Sequence, residues 1–271
     1  MRFAVRGVGL WARGVTSYGA FVGVARTGFL DLADVAFAAP RPSSIPPRER
    51  RRAGLLINLA VEVAHQACDH ACVDRSSINS VFASSMGDTA VTDYMCRKLA
   101  GVDRLLSPAK FTNSVHNAAS GYWSISADCR APSTFVGGFD ASFGVGLLEA
   151  VSQATASGKP VLLVAYDVAN EPPLDEVRRI PESLGVALVV EPKTSDGPEG
   201  LLAADIRFLA ESAEPPLPAT NGLDTLARGN PMGGALALIE RCTGYGTGNP
   251  PLRIPAAAQG CVELRFRSRD H

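Results

Sequence analysis

The sequence predicts an α/β fold of helices layered on a mostly parallel sheet, and three observations predict it. Short apolar, β-branched runs alternate with stretches of helical periodicity, in the order strand, helix, strand, helix, helix, strand, helix, strand, strand. One run, PVLLVAYD at 160–167, is almost wholly apolar, as befits a strand covered on both faces. With 46% of its 271 residues hydrophobic and 20% charged, the chain can bury an ordinary core as one large domain or two small ones.

Residues 3–10 (FAVRGVGL) are β-rich and form the first strand. A looser region follows and ends in APRPSSIPPRERRR (39–52), marked as loop by its prolines and arginines. The run Arg48 to Arg52 reads as a solvated turn, or as a contact for an acidic partner. Residues 53–72 form a helix with Leu56, Leu59, Ala60, Val63 and Ala67 on one stripe. INSVFASSM (78–86) is a strand ending in small residues before Gly87, and 88–101 is helical. Residues 111–129 form a further helix, rich in small and polar side chains, and STFVGG (133–138) is a strand.

The helix over 142–157 places Phe143, Leu147, Leu148, Val151 and Ala154 on one face and stops at Gly158. LGVALVVEP (184–192) and GLLAADIRFLA (200–210) are two more strands. The tail differs in character: a linker-like stretch (211–222), one short helix (233–242), a Gly/Pro loop and one strand (259–266).

A net charge of -1 points to neither nucleic acid nor an anionic membrane surface. No apolar run approaches the roughly 20 residues that span a bilayer. The N-terminus scatters arginines through apolar residues and lacks the basic-then-apolar order of a signal peptide. Six cysteines without a secretory signal predict reduced thiols and a cytoplasmic protein.

The strand–turn–helix over 133–157 is the strongest place for chemistry. A helix N-terminus drives a thiol towards thiolate and stabilises an oxyanion. Yet the turn reads Gly137-Gly138-Phe139-Asp140-Ala141-Ser142, with no cysteine. Ala141 at its tip has no nucleophile, Ser142 needs a base, and Asp140 is read as the helix N-cap. A capped helix with a dead turn outweighs a serine nucleophile here.

His65, Cys68, Asp69 and Cys72 share a helix flank and are zinc-binding types, but one helix supplies only part of a tetrahedral shell, so a partly buried flank is favoured. His116 is a candidate general base, read first as a hydrogen-bonded structural histidine. No GxSxG elbow, Walker motif or dinucleotide fingerprint is present; the GVG at 144–146 is too short for the last.

FAVRGVGLWARGV, VFASSMGD, SPAKFTNSVHNAASGYWSI, APSTFVGGFDASFGVGLLEAVSQATASG, PVLLVAYD and ESLGVALVVEP together resemble, in order and spacing, the N-terminal half of the β-ketoacyl synthases of the thiolase-like superfamily. The resemblance runs across about residues 1–210. It implies a thiolase-like layered α/β fold, with 211–271 a linker plus a truncated remnant of the second half.

Placed by Gly144, the family's cysteine falls on Ala141, and a one-residue offset reaches only Asp140 or Ser142. The elbow is then degenerate. Cys129 lies in the preceding loop and does not substitute. The family's C-terminal half carries two catalytic histidines, whereas the tail here has only His271.

The resemblance is nearest to a chain length factor of the short, aryl-polyene type. It implies a heterodimer with an active β-ketoacyl synthase, joined at the edge strand 133–138, with Phe111, Thr112, Asn113, His116 and Asn117 near the interface and the partner's acyl pocket. Acyl carrier protein would dock mainly on the partner, and no cofactor or metal is called for. Two alternatives stand beside it: an enzyme using Ser142 with His116 as base, and a free-standing acyl-binding module.

Overall fold

The computed structural model describes residues 1–193, 200–245 and 250–266. Strand β1 (Arg2–Ala12) leads into helix α1 (Tyr18–Thr27), then α2 (Pro47–Ala71), β2 (Asn79–Ala83) and α3 (Thr89–Ala100). Next come α4 (Pro108–Thr112), α5 (Ala118–Ser126), β3 (Ser133–Val136), α6 (Ser142–Ser157) and β4 (Val161–Asp167). The chain continues through α7 (Leu174–Val177), β5 (Leu184–Pro192), β6 (Leu202–Leu209), α8 (Leu223–Ala227), α9 (Gly234–Cys242), β7 (Leu252–Ala257) and β8 (Gly260–Phe266).

One eight-stranded sheet runs in the order β3-β2-β4-β5-β1-β6-β8-β7. The expected mostly parallel sheet is not what forms. β3, β2 and β4 are parallel, but every other neighbouring pair is antiparallel. Parallel neighbours need a crossover element laid on the sheet. The segment between β4 and β5 holds only the four-residue α7, and β7 returns to β8 through a tight turn, so those strands reverse.

Two cores flank the sheet. On one face Leu56, Leu59, Ala60, Val63 and Ala67 of α2 are buried with Phe82, Leu162 and Val189, and Trp123 of α5 joins them. On the other, Phe143, Leu147, Val151 and Ala154 of α6 meet Val81, Leu163 and Val186, and α9 extends that core. Helix α6 touches β2, β4 and β5 on one side and β7 on the other, so the sheet curls round it. The two glycines of the GVG stretch make this possible. A Cβ on Gly144 would lie 2.0 Å from the Pro255 carbonyl oxygen, and one on Gly146 would lie 2.9 Å from Ala83 Cβ. They are packing residues, one for each arm of the sheet.

Local corrections have identifiable causes. The helix expected over 111–129 is broken into α4 and α5. Between them Asn113 turns inward and its Nδ2 donates to the Arg52 carbonyl at 2.7 Å, the competition with helix that Asn is suited to. The supposed loop 39–52 already enters α2 at Pro47, a favoured first helical position, and Gly54 (φ 78°) then interrupts that helix. Helix α1 lies in the stretch read as loose; Ser17 caps it by accepting from Ala20 N–H. β7 escapes a sequence reading because Pro255 sits inside it, which is tolerated on an edge strand. No helix among the described residues is long and apolar enough to cross a membrane.

Candidate functional site

β3 ends at Val136, Gly137 and Gly138 follow, and a single 3-10 turn (Phe139–Ala141) hands the chain to α6. The strained residue of this elbow is Phe139, with φ 56°; Ala141 has an ordinary φ of -93° and is buried. Asp140 is not the N-cap. Its Oδ1 accepts from Arg178 Nη2 at 2.7 Å, and no side chain caps α6. The Arg178 guanidinium also lies 3.6 Å from the centre of the Phe139 ring. An open cleft of about 580 Å³ adjoins the turn, lined in part by Asp140, Leu217, Arg228 and Pro231.

Ser142 is fully buried. Its Oγ donates to the Phe139 carbonyl at 2.7 Å and accepts from Gly138 N–H at 2.9 Å, so the hydroxyl holds the turn together. His116 is not beside it. That ring packs on Phe135, with centroids 5.0 Å apart, and no hydrogen bond joins it to Ser142 among the described residues. A serine nucleophile needs a base within hydrogen-bond reach, and this geometry supplies none.

Beneath the turn lies a carboxylate that the sequence reading passed over. Asp167 closes the apolar strand β4 and is 2% exposed. It accepts from Ser84 Oγ at 2.8 Å and from Ser85 N–H at 3.0 Å, and Ser84 Oγ in turn accepts from Gly87 N–H at 3.0 Å. Burial pushes its pKa up to about 6, against those hydrogen bonds and the charge of Arg178. The available signal was a lone acid ending an otherwise apolar strand; its serine partners lie 82 and 83 positions away. Arg178 gave no comparable signal, because Asp140 meets it only in the folded chain.

Phe111 and Thr112 at the end of α4, and His116 and Asn117 in the segment that leads to α5, stand exposed, whereas Asn113 is buried on Arg52. The His116–Phe135 contact sets this segment beside β3. β3 is one outer strand of the sheet. In the same stretch as His116, Phe111 is 57% exposed and Val115 53%, and Phe139, three residues after β3, is 59% exposed.

The flank of α2 does not converge on a metal position. His65 Nε2 faces Ser126 Oγ and its Nδ1 faces Arg75; Asp69 pairs with Arg75, Cys68 is in the core and Cys72 is exposed. Burial pushes the Cys68 thiol up to about 12 and holds His65 down at about 4. No group of three such ligands gathers among the described residues. His271 lies outside them.

Helices on both faces of the sheet, with a strained elbow leading from a parallel strand into the α6 core helix, define a thiolase-like layered α/β protein. Residues 32–222 match the family of β-ketoacyl synthase N-terminal domains, and the chain belongs to that family.

Among solved structures, it is similar to a chain of the ketosynthase (ApeO) in complex with its chain length factor (ApeC) from Xenorhabdus doucetiae. That likeness has 18% identity and a TM-score of 0.71, over 98% of this chain and 99% of that one. The ishigamide ketosynthase/chain length factor matches at 13% identity and TM-score 0.72, over 99% of this chain and 100% of the other. A chain of AntDE:AntF, a type II PKS acyl-carrier protein in complex with its ketosynthase, matches at 12% and 0.73, over 99% of each. At these identities the likeness is one of fold. No curated protein matches the chain.

Proposed function

We propose that this chain is a non-catalytic subunit, of the chain length factor kind, that pairs with an active β-ketoacyl synthase. The observation that carries the reading is an open sheet edge beside an elbow that lacks a nucleophile. β3 presents Ser133, Thr134, Phe135 and Val136 with neither proline nor charge, and the stretch of chain that His116 sets against Phe135 also carries the exposed Phe111 and Val115. The opposite edge strand, β7, is guarded by Pro255 and by a register shift between Pro255 and Ala257. Solved complexes of ketosynthases with chain length factors share the fold at full length, which supports the same role for this chain.

In this reading residues 1–210 are the ketosynthase-like domain and 211–271 the remnant of the second half. The turn at Asp140, Ala141 and Ser142 is a degenerate nucleophile elbow. Phe111, Thr112, Asn113, His116 and Asn117 belong to the segment that stabilises the partner and limits its acyl pocket, with Asn113 acting from beneath. The pathway is of polyketide or fatty-acid type, that of aryl polyene pigments, and the complex is cytoplasmic. Acyl carrier protein docks mainly on the partner.

Co-expression with a ketosynthase, followed by mass measurement of the complex and of the chain alone, tests this. A one-to-one complex whose condensation depends on the partner's cysteine is expected. A monomer that turns over acyl thioesters alone, or that purifies with bound lipid and ignores such partners, overturns it in favour of a Ser142 enzyme or an acyl-binding module respectively.

A further inference from the structure

We infer that the open face of strands β6, β8 and β7 binds the phosphate group of a small ligand through Arg207, Arg253 and Arg265, a site independent of the subunit reading above. The chain carries one arrangement twice. Helix α6 leads into β4, which pairs antiparallel with β5, and β5 with β1. Helix α9 leads into β7, which pairs antiparallel with β8, and β8 with β6. Both helices pack into the same core, on one face of the sheet. The opposite face differs between the two copies. Over β1, β5 and β4 it is covered by α2, against apolar Leu162 and Val189 and against Gly7 and Gly9, where a Cβ would strike the α2 backbone. Over β6, β8 and β7 the same face carries Arg207, Arg253 and Arg265, each about half exposed, so it stands open to solvent.

The sheet register assembles the cluster. Arg207 of β6 and Arg253 of β7 both stand opposite Glu263 of β8, and Arg265 lies two residues further along β8 on the same face. Val262 and Leu264, which alternate with them, belong to the core. Glu263 Oε1 accepts from Arg207 Nε at 2.8 Å and from Arg265 Nε at 2.7 Å, and Oε2 accepts from Arg253 Nε at 3.3 Å. Glu263 is only 2% exposed although its face is open, because the guanidiniums roof it. They are held in place by that carboxylate, and Arg265 donates to it through Nε alone, which leaves the outer fork of its guanidinium for a ligand. Three guanidiniums against one carboxylate leave two positive charges, the charge of a phosphate dianion, and the guanidinium fork matches phosphate oxygens. Glu211, 3.3 Å from Arg253, and the Arg2–Asp205 pair border the cluster. With acids at its rim it offers no long cationic track, so it suits one phosphate group and not a nucleic acid backbone.

The test is calorimetric titration of the full chain, at constant ionic strength and a pH where phosphate is doubly charged, with inorganic phosphate, glycerol 3-phosphate and duplex DNA. Two or three charge-assisted hydrogen bonds predict saturable phosphate binding with a dissociation constant of about 1 mM. Tighter binding of glycerol 3-phosphate assigns the ligand to an organic phosphomonoester, and tighter binding of inorganic phosphate assigns it to the free ion. Arg207→Gln/Arg265→Gln is expected to weaken binding about tenfold or more. Glu263→Gln removes the competing negative charge and should tighten binding about threefold, a gain that a purely structural ion cluster would not give. Circular dichroism checks that each variant is folded at the temperature of titration; if the double variant is not, the wild-type titration and Glu263→Gln decide. Absence of saturable phosphate binding in the wild type, or affinity that Glu263→Gln leaves unchanged or lowers, overturns the site. Saturable DNA binding that the double variant abolishes overturns the small-ligand assignment.

Discussion

The two edges of the sheet are built on different principles. At β7, Pro255 removes a donor, the register shifts beside it, and charged side chains crowd the adjoining strands. Glu263 of β8, 2% exposed, receives Arg207, Arg265 and Arg253. Burial raises its carboxyl pKa, but the hydrogen bonds and charges of Arg265 and Arg207 outweigh that and hold it below the usual range. At β3 none of these devices appears: the strand is short and uncharged, and large apolar side chains stand exposed nearby. The contrast teaches that one edge is closed by its own chemistry, while the other keeps a surface whose exposure makes sense if a partner covers it.

The largest effect should come from charging the open edge. Phe111→Asp/Val115→Asp is expected to weaken pairing with the ketosynthase about a hundredfold or more, measured by sedimentation. The isolated chain should unfold within about 1 kcal/mol of wild type, because both side chains are exposed. Pairing that survives the double change would end the comparison.

At the guarded edge the expected effect is on stability, not partnership. Glu263→Gln leaves three guanidiniums without their shared charge and should cost about 2 kcal/mol in denaturant unfolding, with pairing unchanged. Loss of pairing in that variant would mean that both edges serve the interface.

The smallest effect is a pH dependence beneath the open edge. Asp167 grips Ser84 and Ser85 at the end of β2, the strand on which β3 pairs. Its pKa, raised to about 6, means that the folded state holds a proton the unfolded chain has lost, so this group makes stability rise as pH falls from about 6 towards about 4. His65, held down at about 4, acts oppositely: the unfolded chain takes up a proton that the folded state refuses, so stability falls over the same interval. Wild type should therefore show a nearly flat melting temperature there. Asp167→Asn removes one of the opposing contributions, and its melting temperature should drop by about 2–4 °C between pH 6 and pH 4. An equally flat curve in the variant would remove Asp167 from this account.

Much of the fold was legible because local patterns express it. The stripe from Leu56 to Ala67 and the face from Phe143 to Ala154 are periodic at helical spacing, and all but the half-buried Leu148 are buried as that spacing implies. The run from Val161 to Asp167 is wholly buried, as its apolar composition demanded. The absence of a cysteine at the elbow is likewise a plain fact of the sequence. The roles at that elbow were not legible. Asp140 has the chemistry of an N-cap but meets Arg178, 38 residues on, and Ser142 spends its hydroxyl on its own turn.

The sequence by itself determined most of the helices and strands, the two-faced burial of the sheet, and the family to which the chain belongs. Those depend on periodicity and residue type over a few turns of chain. Only the tertiary structure decided that most strands run antiparallel, that β7 curls round α6 through Gly144, that Asp167 lies under the elbow, and that β3 rather than β7 is the open edge. Each of these depends on which distant segments meet, and contacts across many tens of residues leave no local pattern from which to read them.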